Sequence, residues 1–164
     1  RHTRLQGDWS SDVCSSDLAL DCLERALQLL PQDGELQESA GDLRLRLQEG
    51  YVQKALQRGD QAAADRAKKA LAEARAVEWK RRVERNPADF GLRHQLGSAL
   101  LDLGQTDAAI AELQQAVKDP RKKAEAQFLL GRAFQQKNLG DLALGQFEKA
   151  LQASGQGQLA KDSL

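Results

Sequence analysis

Methionine is absent from these 164 residues, aromatic side chains make up only 4% of them, and there are three prolines and two cysteines. Each shortage closes off a class of molecule. Cys14 and Cys22 alone cannot supply the disulfide framework that staples small secreted domains. No uninterrupted apolar run approaches the roughly 18 residues that span a bilayer, so no membrane span is expected. Charge of one sign is lacking as well: 24 basic side chains balance 24 acidic ones, which leaves no overall field for nucleic acid or an anionic membrane. His94 is the only histidine beyond His2, too few for a His-based metal cage or a Ser-His-Asp arrangement. A glycine-rich phosphate loop between a strand and a helix is also missing. Neither enzymatic activity nor a cofactor or metal is therefore expected of this chain.

What is abundant is Ala, Leu, Gln, Glu, Lys and Arg, whose side chains lose little rotamer freedom in a helix. An almost wholly helical chain follows. The opening stretch is the exception: Asp8-Trp9-Ser10-Ser11-Asp12-Val13-Cys14-Ser15-Ser16-Asp17-Leu18 has no hydrophobic period and resembles translated sequencing-adapter sequence. Residues 1–18 are accordingly expected to be a non-native or disordered segment. A chain without methionine is expected to be a fragment. Cys22 then remains the only cysteine, read as a small apolar filler in a helix.

The rest is organised by a fixed period. Leu96 and Gly97 recur as Leu130 and Gly131, Ala109 as Ala143, Leu113 as Phe147 and Ala116 as Ala150, always at a step of 34. These are packing residues: a glycine lets a neighbouring helix approach its backbone, the alanines do so from the second helix, and the large residues fill the seam between. Gly104 and Asn138 fall between the two helices of each unit, where a residue tolerant of the left-handed conformation ends the first. Each unit is thus predicted to be a helical hairpin.

Leu-Gly in a first helix, followed by Ala, a large residue and Ala in a second, resembles the tetratricopeptide repeat. Over residues 19–164 the resemblance implies an all-α solenoid of antiparallel helical hairpins. Ala19, Leu23, Ala26 and Pro31 stand as the second helix of a truncated repeat (19–31). Repeats are expected at 32–87, with Gly41 in the packing position, at 88–120 and at 121–155. Residues 156–164 would open a further, truncated repeat, since a step of 34 from Leu130 reaches Leu164. Arg93 and Gln127 stand where the family often has tryptophan, and Pro120 arrives one residue early.

One unit is too long: Gly41 to Pro87 spans 46 residues where the period predicts 24. The 22 extra residues are too few for another repeat. With no proline between 32 and 86, the simplest solution lengthens both helices of the hairpin by about eleven residues, or roughly 16 Å. They would run near 34–58, on Leu36, Ala40, Leu43, Leu47 and Tyr51, and near 61–85, on Ala63, Ala67, Ala70, Leu71, Ala74 and Val77. Gly59 would end the first and Asp60 cap the second. Gly50 is the weak point, where a kink is open. Residues 51–86 carry ten basic and five acidic side chains, whereas 19–50 carry three and seven. Lys80, Arg81, Arg82 and Arg85 form the densest basic cluster.

For function, the resemblance implies a protein-protein interaction scaffold that binds a peptide or helix of a partner in a concave groove. The groove positions are His94, Gln95, Ser98, Asp102, Glu125, Phe128, Arg132 and Gln136. No asparagine occupies any of them, which disfavours the carboxylate clamp of the chaperone-binding members. The alternative makes the long hairpin the functional element, through self-association or through polyanion contact by the basic limb near 66–85. Aromatic residues for base stacking do not interleave with that limb, so nucleic acid is not expected as a partner. The default compartment is the cytoplasm.

Overall fold

The computed structural model describes the backbone from Trp9 to Asp162 and the side chains from Asp17 to Gly155. The helices are α1 Trp9–Leu29, α2 Gly34–Gln57, α3 Gln61–Arg85, α4 Phe90–Asp102, α5 Thr106–Ala116, α6 Lys123–Gln136 and α7 Gly140–Asp162. No strand occurs among the described residues. The chain divides into two compact units, residues 1–74 and 75–164, with the boundary inside α3.

In the first unit α1 packs on α2, and Arg44 reaches across to Glu24 at 2.9 Å. Pro31 lies in the link after α1, and the Asp33 carboxylate caps α2 by accepting from the Leu36 N–H at 3.0 Å. Gln37 Nε2 donates to the Pro31 carbonyl, closing the link from the other side. Helix α2 runs unbroken through Gly50 to Gln57. There Gly59, at φ +69°, donates to the Leu56 carbonyl while the Asp60 N–H reaches Ala55. This is a Schellman stop. Asp60 then caps α3 through the Ala63 N–H at 2.9 Å, so one dipeptide ends one helix and starts the next.

Several expectations need correction here. The backbone of residues 9–18 is helical and belongs to α1; nothing between Trp9 and Leu29 is glycine or proline, and a nucleated helix extends at little cost. Residues 1–8 lie outside the described range. Cys22 fills no core: it is exposed on α1. Tyr51 and Val77, expected on the buried faces, are 41% and 71% exposed, whereas Val52, Ala55, Ala64 and Ala72 are buried.

The second unit stacks two helical pairs, α4 on α5 and α6 on α7, joined by packing of α6 against α5 and α4. Asp89 caps α4 through the Leu92 N–H at 3.1 Å. Gly104, at φ +73°, and Asn138, at φ +58°, end α4 and α6 with the same Schellman hydrogen bonds, to Leu101 and Leu100 and to Gln135 and Phe134. Within each pair a glycine faces a large side chain. A Cβ on Gly97 would lie 2.6 Å from Leu113 Cγ, and one on Gly131 would lie 2.6 Å from Phe147 Cδ1 and nearer still to Cε1. Leu96, Leu130, Ala109, Ala116, Ala143 and Ala150 are buried beside them, as Gly41 is in the first unit; Phe147 is half-buried.

Arg93, in the position where the family often has tryptophan, ties its pair together by polar means. Its Nε donates to the Pro87 carbonyl at 3.0 Å and its Nη1 to Glu112 of α5 at 2.8 Å. Gln37 makes the same link to Pro31 within the first unit. The end of α7 departs from expectation. No new helix opens at 156, because the backbone continues from Gly140 to Asp162. Pro120 breaks the link between α5 and α6, but its counterpart one period on is Ser154, which leaves the hydrogen-bond ladder intact. Leu164 lies outside the described range.

Candidate partner-binding groove

The side chains at the open face of the second unit enclose a groove of about 770 Å³. Helix α4 contributes His94 and Ser98, α6 contributes Ala124, Glu125, Phe128 and Leu129, and α7 contributes Phe147, Ala150, Leu151 and Ser154. Phe128 and Phe147 meet at 5.6 Å between centroids and 49° between planes, a tilted pair in the favourable range for aromatic rings. Phe128 is still 52% exposed and Leu151 72% exposed, so the walls present apolar surface to water.

Four of the eight groove positions read from the sequence therefore line this site: His94, Ser98, Glu125 and Phe128. Gln95, Asp102 and Arg132 are exposed but do not line it. Gln136 is engaged elsewhere, accepting from the Thr106 hydroxyl at 3.2 Å beside the Lys137–Asp107 ion pair. The α7 wall escapes a reading that assigns the groove to first helices alone. Its signal lies in Phe147 and Ala150, which recur with the period but read as packing residues.

His94 is the unusual member. It is 8% exposed, and neither ring nitrogen has a hydrogen-bond partner. Nε2 lies 3.6 Å from Glu125 Oε2, too far for a hydrogen bond. Burial holds the imidazole below its ordinary value of 6.5, with Glu125 opposing that shift and Lys122, 3.0 Å from Glu125, reinforcing it. The ring is neutral at pH 7 and unable to act as a fixed cation. Gln127 Oε1 is a third buried atom without a partner.

The basic cluster near the end of α3 is partly spent inside the second unit. Glu78, 6% exposed, accepts from Arg81 Nη2 and Arg82 Nε, both at 2.6 Å, and Arg82 lies 4.8 Å over the Trp79 ring. Burial alone would raise the Glu78 carboxyl, but the two guanidiniums outweigh it and hold the group below its ordinary value of 4.5. A second, polar recess of about 420 Å³ lies where the link before α4 meets the link before α6, beside Asn86, Lys118, Asp119 and Arg121. The backbone N–H and guanidinium of Arg121 hold Asp119 low. Among the described residues no group of three or more His, Cys, Asp or Glu side chains converges as a metal site. No helix of the described residues is long and apolar enough to cross a membrane.

Comparison with known proteins agrees with the helical fold. No curated protein sequence matches the chain. Among solved structures, MamA MSR-1 superposes with a TM-score of 0.61 at 20% identity, over 87% of this chain and 70% of that one. MamA AMB-1 gives 0.59 at 21% identity, over 83% and 62%. A further MamA crystal structure gives 0.52 at 18% identity, over 96% and 99%. At such identities the likeness is one of fold. Residues 94–158 match the tetratricopeptide repeat family. Over that stretch, where the sequence period and the glycine-under-large-residue packing coincide, the chain carries tetratricopeptide repeats.

Proposed function

We propose that the chain is a non-enzymatic scaffold that binds a peptide or helix of a protein partner in the groove between α4, α6 and α7. The observation that carries this reading is the exposure of Phe128 and Leu151 on a pre-formed concave surface. A frame already ordered by Gly97, Gly131 and the buried alanines does not have to fold in order to bind, so association costs mainly the ordering of the ligand. Apolar side chains of the partner fill the space beside Phe128 and Phe147, and Glu125 at the rim contributes charge. Commitment of Arg81 and Arg82 to Glu78 weighs against the polyanion alternative, because it withdraws two guanidiniums from the basic cluster.

A displayed library of random peptides, selected on the intact chain, tests the reading. Enriched peptides are expected to carry large apolar side chains and to lose binding to Phe128→Asp while its far-ultraviolet circular dichroism is unchanged. Enrichment that survives Phe128→Asp, or no enrichment at all, defeats it.

A further inference from the structure

Within the second unit α4 and α6 each pack broadly on α5 but touch one another over only a short stretch. His94 lies at that meeting. Its Nε2 is 3.6 Å from Glu125 Oε2 of α6, and the residue is 8% exposed with no partner for either ring nitrogen. The charges that act on the ring are Glu125 and Lys122, both from α6; on α5, Asp107 and Glu112 are already taken by Lys137 and Arg93. Glu125 is itself held by Lys122 at 3.0 Å. The site suits the neutral imidazole alone. A proton turns both ring nitrogens into donors, and a buried charge without a hydrogen-bonded partner is expensive.

We infer that His94 is an acid-operated release for the groove: a proton on its ring parts α4 from α6 along their shared edge and lets the ligand go. This rests on the scaffold reading and supplies its regulation. Two responses to the proton are open: Glu125 closes on the ring as an ion pair, or the ring reaches water. The first requires Glu125, 58% exposed, to leave Lys122 and its water, and burial of the ring already outweighs the attraction of Glu125. The second breaks only the slight α4–α6 contact, while α5 keeps its hold on both helices. His94 and Ser98 line the groove from α4, and Glu125 and Phe128 line it from α6, so parting them dismantles the surface that a ligand bridges. The linkage has one sign. With the ring in water the parted form takes up the proton at about 6.5, and the closed form does so at a lower value. Acid therefore favours the parted form, and apparent affinity falls with the fraction that remains closed.

The test is a carbon–proton NMR titration of the full chain from pH 7.5 to pH 5 with a soluble paramagnetic agent present. It follows the His94 Cε1–H signal, assigned through its loss in His94→Leu. That signal is expected to titrate with a midpoint below 6.5 and to broaden under the agent as the ring takes up its proton. Amide shifts of residues 94–98 and 122–128 should move with the same midpoint. Glu125→Gln should lower the midpoint and Lys122→Gln should raise it. Library peptides free of histidine should bind several-fold more weakly at pH 5 than at pH 7.5. His94→Leu, whatever its affinity at pH 7.5, should bind them with little change across that range. A ring that titrates while still shielded, through capture by Glu125, overturns the inference, and so does an affinity that falls equally in His94→Leu. If peptides bind at pH 7.5 and the ring stays shielded, only the release falls; if no peptide binds at pH 7.5, the scaffold reading falls and takes the release with it, even where the ring opens.

Discussion

The pairs α4–α5 and α6–α7 share one register and differ in almost everything polar. Their apolar contacts repeat: Gly97 under Leu113 becomes Gly131 under Phe147, and Ala109 and Ala116 become Ala143 and Ala150. Their polar devices do not. Arg93 and Glu112 form an ion pair, whereas their counterparts are Gln127 and Gln146; Asp89 caps α4, whereas Lys122 gives α6 no side-chain cap. The difference teaches which positions specify the architecture. Close approach of two helices requires a missing Cβ at one point, and few residue types meet that requirement, whereas a helix end or a surface pair can be satisfied in many ways.

The largest test of this asymmetry is in the large residue that covers each glycine. Leu113 is fully buried, so Leu113→Ala should remove about 2–5 kcal/mol by lost transfer energy plus a residual cavity. Phe147 is half-buried and lines the groove, so Phe147→Ala should cost less despite its larger side chain. Urea unfolding of both variants checks this. Equal losses would mean that the second pair is as closed as the first, and would remove the physical basis of the groove.

How much of this is legible in the sequence follows the same division. The packing residues, the stops at Gly59, Gly104 and Asn138, the cap at Asp60 and the lengths of α2 and α3 can be read directly, because each rests on a local steric demand of a single residue. The continuity of α1 and α7 cannot, since helix ends without proline or a left-handed residue carry no signal to stop. First-helix positions lead to His94, Ser98, Glu125 and Phe128 but not to the α7 wall, because a residue that packs beneath a glycine on one side can line a cavity on the other. The Arg93 link is invisible because it replaces a ring with two directed hydrogen bonds.

An intermediate effect is expected at His94, whose counterpart is Phe128. A buried imidazole with no partner forfeits its hydrogen bonds to water, so His94→Leu should stabilise the fold by about 1 kcal/mol at neutral pH. The sign with pH is fixed by the direction of its shift. Its folded-state value lies below the ordinary 6.5, so the unfolded chain takes up the proton first. The stability it permits is present above about 6.5 and falls as pH drops through that value. The gap between wild type and His94→Leu should therefore widen from pH 7.5 to pH 5. Urea unfolding at the two pH values measures it, and a gap that narrows would show that Glu125 captures the protonated ring.

The smallest effect is expected at Asn138, read against the other helix stop, Gly104. Gly104 and Asn138 hold the same left-handed conformation with the same pair of hydrogen bonds, so the comparison isolates the side chain. Gly104→Ala places a Cβ against the following carbonyl and should cost about 1–2 kcal/mol. No atom lies near that Cβ, so the loss would be conformational rather than steric crowding with a neighbour. Asn138→Gly should instead gain a few tenths of a kcal/mol, because asparagine tolerates the conformation that glycine adopts freely. The two shifts, of opposite sign, are measurable by thermal unfolding. If Asn138→Gly were destabilising, the Asn138 side chain would be holding the turn between α6 and α7, and the second pair would have found a polar substitute for what the first achieves by lacking a side chain.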